Sequence, residues 1–112
     1  MRTSGTCRQA YGEPLWDVYA LADPRTLDIC YIGISVDPEW RLAGHLYKSK
    51  RGQRTPKNDW MRELLSENLI PKVIVLEQGL WRERALKAER RWIVKGLEEG
   101  WPLLNVNKRR MR

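Results

Sequence analysis

The chain has 112 residues, with 21 Lys and Arg against 14 Asp and Glu and a formal charge of +7. That length holds one compact domain with a real core, and the positive excess favours a polyanionic partner, nucleic acid first. Two cysteines in unlike settings, Cys7 and Cys30, and a single histidine, His45, argue against a disulfide framework and exclude a Cys/His zinc site of the usual spacing, so any metal should be a hard, oxygen-liking ion.

Residues 1–13 are polar and without clear periodicity, and they read as a poorly ordered arm that packs only through Tyr11. No hydrophobic stretch of signal-peptide type occurs there and no apolar run approaches membrane-spanning length, so a soluble, cytoplasmic protein without membrane contact is expected. The globular part is expected over 14–107, with a basic tail, KRRMR, over 108–112. From Leu15 to Ala22 the run LWDVYALA is rich in strand formers, DPRTLD supplies turn residues, and ICYIGIS from Ile29 to Ser35 reads as a second strand, giving an antiparallel hairpin. Alternation puts Trp16, Val18 and Ala20 on one face of the first strand and Tyr19 on the other, while Cys30, Ile32 and Ile34 oppose Tyr31. Tyr19 and Tyr31 then share a face, although a register shift of one residue would separate them.

Asp37-Pro38-Glu39 combines an N-cap, a proline at the first helical position and an early acid, and opens a helix through Arg41 and His45. The stretch 48–57 breaks it and holds Lys48, Lys50, Arg51, Arg54 and Lys57 without a single acid. A second helix begins near Asn58, carries Trp60, Met61, Leu64 and Leu65 on one stripe, and stops between Asn68 and Pro71. KVIVLE then reads as a short buried strand, and an amphipathic helix runs from Leu80 to about Leu97 before Gly100 and Pro102. The element order predicts an α+β fold, a small three-stranded antiparallel sheet flanked by helices.

Glu89 has apolar neighbours at three and four residues' distance, Ala85, Leu86, Trp92 and Ile93, which places a carboxylate in a buried stripe. Such a charge needs compensation from a distant cation of the chain or from a bound ion, and a structural ion pair and a metal ligand fit equally well. Arg41 and His45 stand one helical turn apart, where an arginine can neutralise a phosphate and a histidine can take a proton; a solvated helix stripe has the same spacing. Tyr19 or Tyr31 taken singly reads first as a core residue with its hydroxyl satisfied at the rim, two on one face are less easily explained so, and Asn105 reads as a turn residue.

In order and spacing, Tyr19, the tripeptide Tyr31-Ile32-Gly33, Arg41, His45, Glu89 and Asn105 resemble the motif series of the GIY-YIG nuclease family, over roughly Trp16 to Asn107. ALKAERRWI is similar to the helix that carries the family's metal-binding glutamate. Asp17-Val18-Tyr19 departs from the first tripeptide, the basic residue that follows YIG in some members is replaced by Ser35 and Val36, and Asn107 competes with Asn105 for the asparagine position. The resemblance implies a metal-dependent endonuclease that hydrolyses DNA phosphodiester bonds. On it, Glu89 would hold Mg2+, with Mn2+ as a substitute; Tyr19, assisted by His45, would activate water; Arg41 would steady the charged transition state; and Tyr31 would position water or phosphate. The basic stretch and the tail then read as DNA-backbone contacts. A non-catalytic nucleic-acid-binding module, or a catalytic subunit whose DNA specificity comes from a partner protein, is the alternative, and cleavage of both strands by one site would call for a homodimer or two binding events.

Overall fold

The computed structural model describes residues 9, 10 and 12–105. The architecture is α+β, as expected: a three-stranded antiparallel sheet and three helices. Within the expected N-terminal arm, β1 (Gln9–Ala10) pairs antiparallel with β2 (Glu13–Pro14), so its last part is held in a short ladder. Residues 1–8, Tyr11, Asn107 and the basic tail 108–112 lie outside the described residues.

The main sheet has the order β4-β3-β5, built from β3 (Trp16–Ala22), β4 (Ile29–Ser35) and β5 (Lys72–Leu80). β3 is central and buried along nearly its whole length. Tyr19 pairs with Gly33 and Leu21 with Tyr31, so the two tyrosines share one face, as alternation predicts. Cys30 departs from that expectation. The β3–β4 register slips between Leu21 and Ala22, and the extra residue turns Cys30 into the cluster of Tyr19 and Leu21, away from Ile32 and Ile34.

The last strand is a second correction. β5 is longer than KVIVLE and not buried: it forms a sheet edge on which Ile74 and Val75 are exposed. Its register against β3 shifts near Val18, and Gly79 takes a left-handed φ of 70° there. The buried Asp17 carboxylate accepts the Gly79 N–H at 3.3 Å.

Helix α1 (Pro38–Lys50) starts where Asp37 accepts the Trp40 N–H, and α2 (Pro56–Ser66) where Thr55 accepts the Asn58 N–H. Both begin with proline, whose fixed φ suits a first helical position. Their apolar faces cover the tyrosine face of the sheet, where Tyr19, Leu21, Cys30, Leu42, Trp60, Met61 and Leu64 form one core. Helix α3 (Arg82–Glu99), ended by the left-handed Gly100, covers the other face with Ala88 and Ile93 against Val18, Ala20 and Ile32. Asp23 anchors the β3–β4 turn: it accepts from Arg25 and from the Trp60 indole at 3.0 Å, and Arg25 reaches on to Glu63 and Glu67 of α2. The Arg25 guanidinium holds the Asp23 carboxyl well below the usual carboxylate range. Among the described residues no helix is long and apolar enough to cross a membrane.

Candidate active site

The tyrosine face of the sheet is dry core except where a line of polar groups enters it. Tyr19, 1% exposed, comes from the central strand, and its hydroxyl lies 2.9 Å from Nε2 of His45, which is wholly buried on α1. The other imidazole nitrogen, Nδ1, lies 2.7 Å from the Lys57 ammonium at the start of α2. Tyr31 closes the group: its ring stands edge-on to His45 at 5.3 Å and tilted to Tyr19 at 6.3 Å, with Lys57 Nζ 5.0 Å from its centroid. Arg41, one turn before His45, and Glu89 of α3 are both near enough for their charges to act on the Tyr19 hydroxyl, in opposite directions.

Gly33 makes this convergence possible. A Cβ there would sit 2.9 Å from Tyr19 Oη and 3.0 Å from the Tyr31 ring, inside contact distance of both. The glycine of the YIG tripeptide therefore leaves the space that the Tyr19 hydroxyl fills. Asn105 works on the strand from outside. Its side chain accepts from the Ile32 N–H at 3.1 Å and donates to the Ile32 carbonyl at 2.7 Å, as a neighbouring strand would. Of the candidate residues, Tyr19, Tyr31, Arg41, His45 and Glu89 gather at one place, and Asn105 holds the backbone between Tyr31 and Gly33.

Burial orders the electrostatics. It pushes the Tyr19 phenol far above its ordinary value, with Tyr31 and Glu89 acting in the same direction and Arg41 against them. Burial also pushes His45 down to about 3, helped by the charges of Lys57, Arg41 and Lys48, so the imidazole is neutral at ordinary pH. Lys57 is lowered to about 8, by burial first and then by Arg41 and Lys48, and keeps its proton at pH 7 for the most part.

Glu89 is half-buried, at the rim of the α3 stripe and not in its middle, because Leu86 is 37% exposed while Ala85, Ala88 and Ile93 carry the packing. Among the described residues no three His, Cys, Asp or Glu side chains cluster as a ready-made metal cage. A single half-exposed carboxylate fits a hydrated magnesium ion, which keeps several waters and takes substrate phosphate as a ligand.

The basic stretch is not one surface. Lys48 and Lys50 are exposed in the last turn of α1, Arg51 lies over Tyr47 with Nη1 3.1 Å from its hydroxyl, and Arg54 pairs with Asp59 at 2.8 Å. Lys57 leaves the group and joins His45. Sequence reasoning missed that role, yet a signal existed: Thr55-Pro56 marks a helix start, which puts Lys57 in a first turn where the helix dipole disfavours a cation. Comparison with protein-family models, with curated proteins and with solved structures gave no match.

Proposed function

We propose that the chain is a metal-dependent endonuclease of the GIY-YIG type that hydrolyses DNA phosphodiester bonds. The observation that carries this reading is the convergence, around Tyr19 of the central strand, of His45 and Arg41 from α1, Tyr31 from β4 and Glu89 from α3. A structural role for each residue taken singly gives no reason for all five to meet.

Arg41 and Glu89 remain partly solvent-accessible, while Tyr19 and His45 lie beneath them. In this reading a phosphodiester approaches from the accessible side and its non-bridging oxygens are met by the Arg41 guanidinium, whose fork suits phosphate. Tyr31, also partly accessible, orients the phosphate or the attacking water. A magnesium ion at Glu89 would supply charge stabilisation at the leaving 3′ oxygen. Tyr19 is the candidate base for the water. Burial above all holds the phenol's proton, with Tyr31 and Glu89 acting the same way, so neutralising that carboxylate, together with the Arg41 charge and the His45 contact, would favour its loss to solvent before Tyr19 takes a proton from the attacking water.

Supercoiled plasmid incubated with the protein and with Glu89→Ala, with and without magnesium, tests the proposal. Nicking that requires magnesium and falls at least a hundredfold in a folded Glu89→Ala variant is the expected result. One observation favours a second reading, a DNA-binding module without catalysis: Tyr19 is as buried as any core tyrosine, with its hydroxyl satisfied by His45. Binding without cutting, on branched and single-stranded substrates as well and with manganese present, would establish that reading instead.

A further inference from the structure

We infer that Lys57 is a positioning residue: its ammonium fixes His45 as the Nε2–H tautomer, so the imidazole meets Tyr19 as a hydrogen-bond donor and not as a proton acceptor. The argument is a count of donors and lone pairs. A lysine ammonium has three donors and no acceptor, and a neutral imidazole has one N–H and one lone pair. With Lys57 Nζ 2.7 Å from Nδ1, the lone pair must be on Nδ1 and the proton on Nε2. Nε2 is 2.9 Å from Tyr19 Oη, so that oxygen accepts.

The rest of the pocket keeps this polarity. His45 has no exposed surface through which water could offer an alternative partner. The ammonium is held over the Tyr31 ring at 5.0 Å, a cation–π geometry, and the same ring is edge-on to the imidazole. The positive charge of Arg41, one helical turn before His45, also acts on the Tyr19 hydroxyl and favours loss of its proton. A donor on the phenolic oxygen and a cation beside it stabilise its anionic form, and an imidazole protonated on Nε2 has no lone pair there with which to take the Tyr19 proton. Lys57 thus brings to the pocket, from the start of α2, the cation that Ser35 and Val36 do not bring from the segment after Gly33.

The tautomer is a property of the folded chain alone, whereas its catalytic consequence rests on the nuclease reading; the test separates the two. Because His45 is the sole histidine, a protein labelled with 15N-histidine gives one unambiguous pair of imidazole nitrogen signals. At pH 7 the expected pattern is Nε2 protonated and Nδ1 bare, retained in Lys57→Arg and inverted or averaged in Lys57→Met. Plasmid nicking should fall at least tenfold in Lys57→Met and recover most of the way in Lys57→Arg, with amide spectra checking that both are folded. A wild-type His45 protonated on Nδ1, or a Lys57→Met protein with unchanged tautomer and unchanged nicking, overturns the inference. If the wild type shows the Nε2–H pattern but cleaves no substrate, the tautomer stands and the nuclease reading falls.

Discussion

The two faces of the sheet are made by the same strand and do different things. On the α3 side, Val18, Ala20 and Ile32 meet Ala88 and Ile93, all aliphatic side chains whose only contribution is burial and fit. On the other side, Tyr19 and Leu21 meet Leu42, Trp60, Met61 and Leu64, and through this equally dry layer runs the series Tyr19–His45–Lys57. A polar series in a dry layer is costly unless its groups are satisfied, and here Lys57 and Tyr19 satisfy both nitrogens of the buried His45. The aliphatic face makes the domain stable; the other spends part of its packing on holding three ionisable groups in fixed order.

The largest expected effects test whether the two faces are separable. Leu64→Ala and Ile93→Ala should each destabilise by about 2–5 kcal/mol in urea unfolding, as buried truncations do. Only Leu64→Ala, on the tyrosine side, should also move the His45 nitrogen signals; equal movement in both would erase the distinction. Gly33→Ala strikes the polar series directly. Its methyl would press on Tyr19 Oη and on the Tyr31 ring, with an expected cost of about 1–3 kcal/mol and loss of nicking out of proportion to the loss of stability.

Acidity separates the faces by charge. His45 titrates near 6.5 when unfolded and at about 3 in the fold, so below pH 6.5 the unfolded chain binds the extra proton and stability falls as pH falls. The expected slope is about 1.4 kcal/mol per pH unit between those limits, measured by urea unfolding from pH 7 to pH 5 and much reduced in His45→Gln. The smallest effect concerns the surface. With Arg54 paired to Asp59 and Lys57 bonded to His45, only Lys48, Lys50 and Arg51 of the stretch remain for phosphate, so log affinity against log salt should fall with a slope of about −3 from this stretch. A contribution near −5 would mean that Arg54 and Lys57 leave their partners to meet DNA.

Local chemistry made much of this legible from sequence. The Asp37-Pro38 start of α1, the hairpin of β3 and β4 and the shared face of Tyr19 and Tyr31 follow from capping, turn residues and alternation, and all three are present. Cys30 escaped because a bulge interrupts alternation without a residue type that announces it. The exposure of Ile74 and Val75 escaped because an apolar run does not reveal which strand takes the edge. The role of Lys57 depends on how α2 packs beside α1, a tertiary matter, although its place in a first helical turn hinted at a use. The loss of Arg54 to Asp59 was hidden for a simpler reason: the acid lies two residues beyond the stretch whose charge was summed.

The Asn105 clip has a consequence in time. The Leu104 N–H also bonds the Cys30 carbonyl, so residues 104 and 105 close the outer edge of β4 along the very segment that carries Tyr31 and Gly33. Ile32 and Asn105 are 73 positions apart, and during synthesis at about 5–20 residues per second several seconds separate them on the ribosome. For that interval β4 is an open ladder able to pair with another nascent strand. A polysome making this protein therefore carries an unpaired edge on the segment that will later border the candidate site, and residues 104 and 105 end that exposure.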